Sequence, residues 1–119
     1  MGLTGRDIRR GDVYLVDFGP RRGNEKAMPH PAVVLSINAV NSFEFIIVVV
    51  PGTKGEKVRR ERQGDVRVPP GEAGLPMETV FEARQVAAID PKKVIRRYGT
   101  MSAAALNRVE AAVRLTLGL

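Results

Sequence analysis

Apolar and polar positions alternate in short runs through most of the chain and take a helical spacing only at its end. In "DVYLVDF", residues 12–18, Val13, Leu15 and Asp17 fall on one face and Tyr14, Val16 and Phe18 on the other. Apolar, β-branched and aromatic residues on both faces predict a strand covered on both sides. The next segment, "GPRRGNEKAMPHP" (19–31), holds two Gly and three Pro and reads as a long connection. "AVVLSI" (32–37) and "FEFIIVVV" (43–50), joined by "NAVNS", form the pattern of a hairpin with a medium loop. Residues 51–65 read as a loop, flexible and basic: Lys54 to Arg62 contains five basic and two acidic residues and no apolar period. "DVRVP" (65–69) is a short strand with Val66 and Val68 on one face, 69–76 a turn region, and 79–89 a strand with an irregular middle. Asp90 followed by Pro91 suits the start of a single helical turn. The clearest helix follows: Ser102 caps it, Leu106, Val109, Val113 and Leu117 make its apolar stripe, and Gly118 stops it.

This order, several strands and then a terminal helix, predicts one mainly β domain over residues 1–119, with 1–9 as a loose lead. No helix separates the early strands, so a parallel βαβ arrangement is excluded and the strands should pair antiparallel. A twisted, partly closed small barrel with the helix packed on one side satisfies the pattern.

Composition narrows the chemistry. The chain has no Cys and one His. Disulfides, thiolate nucleophiles and the usual zinc sites are therefore out of reach, and no metal or cofactor is expected. Two Tyr, four Phe and no Trp are too few for a surface that reads bases by stacking on several rings. The longest apolar run, Phe45 to Val50, falls well short of the roughly 20 residues of a membrane span. The N-terminus carries no apolar leader, so a cytoplasmic location is expected. A net charge of +6 points to a polyanionic partner, nucleic acid first.

"RRGDVYLVDFGP", then "GNE", "PAVVLSINAVN", "VVPGT" and "IDPKKVIRRYGTMS" with the closing helix resemble, in unbroken order from about residue 10 to 119, the MazF/PemK toxin family. The resemblance implies an SH3-like small barrel of the MazF/PemK/CcdB type with a C-terminal helix, assembled as a homodimer. It implies a toxin that cuts single-stranded RNA without a metal. The ribose 2′-hydroxyl attacks the neighbouring phosphate, leaving a cyclic phosphate and a 5′-hydroxyl, and a cognate antitoxin with an acidic tail blocks the groove. Family positions carry over to Glu25 in "GNEK" and Thr53 in "PGT". The arginine that the family places before the proline opening its second strand is here His30, before Pro31. The acidic residue that usually precedes the late-strand glutamine is here Arg84, before Gln85.

The reaction needs a base for the 2′-hydroxyl proton, an acid for the leaving oxygen and donors for the phosphorane charge. Arginine clamps phosphate but hardly ever gives up its proton, whereas histidine exchanges one near neutral pH. The exchange of residues thus trades phosphate binding for proton transfer. On this reading the catalytic residues are Glu25, His30 and Thr53, with His30 as acid or base and Glu25 as its counterpart or orienting partner. The RNA contacts are Arg21, Arg22, Asn24, Lys26, Lys54, Lys57, Arg59, Arg60 and Gln85. Two other readings stay open: a non-catalytic module that binds RNA or antitoxin, and a protein-targeting inhibitor resembling CcdB. The CcdB reading lacks a C-terminal aromatic, since the chain ends "LTLGL".

Overall fold

The structure, a computed structural model, describes residues 7–43 and 45–119. Seven strands, β1 (Asp12–Asp17), β2 (Pro29–Val34), β3 (Ile47–Lys54), β4 (Asp65–Val68), β5 (Thr79–Glu82), β6 (Ala87–Ile89) and β7 (Val94–Thr100), form a sheet in the order β4-β5-β3-β2-β1-β7, with β6 paired to β3 off that path. Every pairing is antiparallel, as the missing crossover helices require. Helix α1 (Asn38–Asn41) lies in the β2–β3 connection, and α2 (Ala103–Leu117) closes the fold.

The two-sided alternation of β1 does what its pattern predicts. Val13 joins Val33, Val50, Phe81 and Val109 in one core. Tyr14 and Val16 join Ala32, Val34, Ile47 and Val49 in a second core on the opposite face. The registers Val13↔Val33 and Val33↔Val50 put matching residues on matching faces. Ile8, in the segment expected to be a loose lead, is buried in the second core; residues 1–6 of that segment lie outside the described residues.

Several expected boundaries move. The 19–31 connection ends at Met28, because β2 begins at Pro29 and places Pro29, His30 and Pro31 opposite Asp17, Val16 and Leu15. Strand neighbours override the turn preference of the two prolines, which can sit where the ladder asks for no N–H. The "NAVNS" loop holds α1. The strand read from Phe43 starts only at Ile47 and runs on through Pro51, Gly52 and Thr53 to Lys54, so these three are not loop residues. The 79–89 run is two strands, β5 and β6, split by a 3-10 turn at Ala83–Gln85. Asp90 caps a 3-10 turn at Pro91–Lys93, its carboxylate accepting from the Lys92 N–H. β7 follows where the sequence suggested only the end of that turn.

The basic loop is less free than its charge suggests. After a 3-10 turn at Gly55–Lys57, the Arg67 guanidinium of β4 donates to the Gly55 and Val58 carbonyls and pairs with Glu61 and Glu78. In α2, Ser102 caps as expected, Val109 is fully buried and Gly118 turns left-handed, but Leu117 is exposed.

The end strands β4 and β7 do not pair, so the barrel is not closed by hydrogen bonds between strands. The turn Glu72–Gly74 fills the seam instead. A Cβ on Gly74 (φ +74°) would lie 2.4 Å from the Tyr98 carbonyl oxygen, and one on Gly99 2.6 Å from the Ala73 carbonyl oxygen. Two glycines are what let the backbones meet there. The Glu72 carboxylate then accepts from the N–H and hydroxyl of Ser102, tying the turn to the start of α2.

Candidate functional site

The sheet forks in the middle of β3. On one edge of β3 the ladder with β2 covers residues 49–51 and stops there, while the opposite edge pairs with β6 over 47–49 and with β5 over 52–54. β2 meanwhile stays with β1 over residues 29–31. Continued past its last pair, Ala32↔Pro51, the β2–β3 register would set His30 opposite Thr53. Both residues therefore stand at the point where two strands part, and Pro29 and Pro31 have no N–H with which to extend the ladder.

A cleft of about 340 Å³ opens in this fork. His30, Thr53, Lys54 and Lys57 line it together with Leu15, Met77 and Tyr98. It lies at the lower end of small-molecule site sizes and suits one nucleotide unit better than a folded partner. Lys54 and Lys57 are exposed at its rim, and His30 and Thr53 are half-buried.

Glu25 is not in this cleft. It lines a neighbouring one of about 370 Å³ with Lys26, Arg84, Gln85 and Lys93, and makes no hydrogen bond or ion pair to His30. His30 lines the first cleft, while its ring feels the charges of Lys26, which lines the second, and of Glu82. Its Nδ1 lies 3.4 Å from the Met28 carbonyl oxygen. Burial, and secondly the Lys26 ammonium, push its pKa below the ordinary histidine value, against smaller upward pulls from the Met28 and Ala27 carbonyls and Glu82. The ring is thus biased to its neutral form. The tautomer with the proton on Nδ1, facing Met28, leaves Nε2 with a free lone pair. The residue before β2, Met28, holds a left-handed backbone (φ 65°) that non-glycine residues seldom adopt.

The other candidates divide. Arg21, Arg22, Lys54, Lys57, Arg59 and Arg60 are exposed. Lys26 and Gln85 are engaged inside the protein, whereas Asn24 is exposed and takes part only through its backbone carbonyl. The Lys26 ammonium pairs with Glu82, the Gln85 Oε1 accepts from the Lys26 N–H at 3.1 Å, and the Gln85 Nε2 donates to the Asn24 carbonyl at 2.7 Å. Glu82 escaped the sequence reading. The only signal for it is its place three residues before Gln85, and its pairing with Lys26 spans 56 residues of chain. Among the described residues, no group of three or more His, Cys, Asp or Glu is placed to hold a metal ion, and no helix is long and apolar enough to cross a membrane.

A family model, "PemK-like, MazF-like toxin of type II toxin-antitoxin system", matches residues 9–117. The chain belongs to this toxin family. It is 31% identical to the endoribonuclease MazF9 of Mycobacterium tuberculosis, covering 94% of this chain and 98% of that one. It is 27% identical to an endoribonuclease MazF of Staphylococcus epidermidis over 94% and 92% of the two chains. Two solved structures have the same fold. One is a MazF of Deinococcus radiodurans (TM-score 0.79, 22% identity, 94% and 97% covered). The other is a mycobacterial endoribonuclease in complex with its cognate antitoxin (TM-score 0.75, 24% identity, 94% and 96% covered). Within this MazF-type fold, the fork between β2 and β3 is where the chain gathers His30, Thr53 and the exposed Lys54 and Lys57.

Proposed function

We propose that the chain, an endoribonuclease toxin by family, cuts single-stranded RNA at the β2–β3 fork without a metal. The carrying observation is that His30 and Thr53, from strands that separate at this point, line one cleft rimmed by Lys54 and Lys57. The 2′-hydroxyl of the bound nucleotide attacks the adjacent phosphorus. Nε2 of neutral His30 takes its proton, and the P–O5′ bond breaks to leave a 2′,3′-cyclic phosphate. The Thr53 hydroxyl and the Lys54 ammonium hold the phosphorane oxygens, and Lys57 at the rim protonates the leaving 5′-oxygen. A neutral imidazole supplies the base that a guanidinium could not, and the lysines supply the positive charge that the imidazole lacks. Glu25, in the neighbouring cleft, acts on the RNA flank or on the loop and not on His30. Arg21, Arg22, Arg59 and Arg60 bind flanking phosphates.

Relatives of this fold include a complex with a cognate antitoxin. The same basic face is what an acidic antitoxin segment would cover here, and the exposed Phe43, Phe45, Leu115 and Leu117 are apolar surface that a second copy could bury in a homodimer. Cytoplasmic action fits a substrate that is cellular RNA.

Incubation with a long single-stranded RNA in chelator tests the reading. Discrete cuts with cyclic-phosphate and 5′-hydroxyl ends are expected, and His30→Ala should slow them about 100-fold or more. RNA binding without cuts would replace the enzyme by the binding module. Cuts that survive His30→Ala undiminished would remove histidine from the chemistry.

A further inference from the structure

We propose that Gln85, Lys26 and Glu82 form a clasp that positions the β1–β2 connection beside the cleft, and that they are not RNA ligands. The Gln85 amide engages the backbone on both sides of Glu25: its oxygen takes the Lys26 N–H at 3.1 Å, and its nitrogen gives to the Asn24 carbonyl at 2.7 Å. One side chain thus satisfies a donor and an acceptor as a neighbouring strand would. The Lys26 and Glu82 side chains are only 12% and 15% exposed, and they pair with each other. A phosphate could take that ammonium only by leaving the Glu82 carboxylate poorly solvated and without its partner, which is costly. Exposed cations, among them Arg21, Arg22, Lys54, Lys57, Arg59 and Arg60, are open to a phosphate without breaking such a pair.

The clasp rests on rigid ground. Glu82 ends β5, whose Val80 pairs with Thr53. Gln85 ends the 3-10 turn whose Ala83 is fully buried and hydrogen-bonded to the Gly64 carbonyl at 2.9 Å. On the other side, residues 20–25 are exposed and contain Gly23 in a left-handed conformation. Their backbone bond from Glu25 N–H to the Arg22 carbonyl stays within the connection. Gln85 and Glu82 therefore fasten a loose segment to the strand that partners Thr53, and that segment runs directly into His30.

The kinetic part of this inference rests on the RNA-cleaving reading, whereas its exchange and binding parts do not. Hydrogen exchange in the full chain should be about tenfold faster at residues 22–28 in Gln85→Ala, with β1, β2 and β3 unchanged. Binding of a 2′-deoxy oligonucleotide that cannot be cut should stay within about twofold of the parent. With cleavable RNA, kcat should fall while KM holds. Lys26→Glu should loosen the segment in the same way, and the double variant Lys26→Glu with Glu82→Lys should restore both exchange and kcat. Oligonucleotide binding weakened about tenfold in Gln85→Ala, with exchange unaltered, would make these residues ligands and overturn the clasp. So would a charge swap that rescues nothing in a folded protein. If the parent protein cuts no RNA, the exchange and binding results still decide the clasp, and only the functional reading fails.

Discussion

At the scale of the residue, His30 carries the most weight, and its being the only histidine makes it measurable. Burial and the Lys26 ammonium lower its pKa in the folded protein. The unfolded chain therefore binds more protons than the folded one between that lowered value and about 6.5. Across this window stability rises with pH, and the contribution is lost as pH falls through the ordinary histidine value. An NMR titration of its ring should give a midpoint below that of a free histidine, and urea unfolding should show stability dropping below about pH 6.5 in the parent but not in His30→Ala. A midpoint at or above the free value would mean that the ring is not desolvated and is charged more readily than the proposed base allows. The sequence placed His30 next to a proline and opposite a family arginine. It could not show that strand pairing with Val16 would draw the residue out of a loop, nor that Glu25, five positions away, would face a different cleft.

At the scale of the element, the sequence read best where one segment settled its own environment. β1 declares itself by apolar residues on both faces, and α2 by its cap, its buried Val109 and its terminal glycine. β7 did not, because Ile95, Arg96 and Arg97 are exposed and leave no alternation to detect. What holds β7 comes from far along the chain. Arg97 and Thr100 bind the nearly buried Asp12, which also accepts from the Tyr14 hydroxyl. Burial, and then Asp12, push that phenol up to about 12. The seam beyond β7 depends on glycine, so Gly99→Ala should cost about 2 kcal/mol or more of unfolding free energy, because the new methyl meets the Ala73 carbonyl. A loss under about 0.5 kcal/mol in urea denaturation would mean that the turn Glu72–Gly74 yields readily and does not close the sheet. Arg67 makes the same point for the basic loop: two carbonyls and two carboxylates held by one guanidinium turn a charge run into an ordered rim of the cleft.

At the scale of the whole molecule, a net charge of +6 meets an open fork in the sheet. RNA affinity should fall steeply with salt. Replacing Arg59 and Arg60 by Ala should lower the slope of log affinity against log salt by about 0.7 for each lost phosphate contact. An unchanged slope would place the phosphates elsewhere. The sequence by itself determined the two-sided burial of β1, the antiparallel β character with a terminal helix, the residue types available for chemistry and, by resemblance, the family. The first three follow from local period, local capping or plain inventory, and the family from the order of its motifs along the chain. Tertiary structure alone decided that β2 parts from β3 after Pro51, that a turn and not a strand pair fills the seam, and that Lys26 and Gln85 hold a loop while Lys54 and Lys57 stay free. The physical reason is that these outcomes are set by partners tens of residues away. Burial and pairing across the sheet outweigh local preference, and only the folded chain says which groups meet.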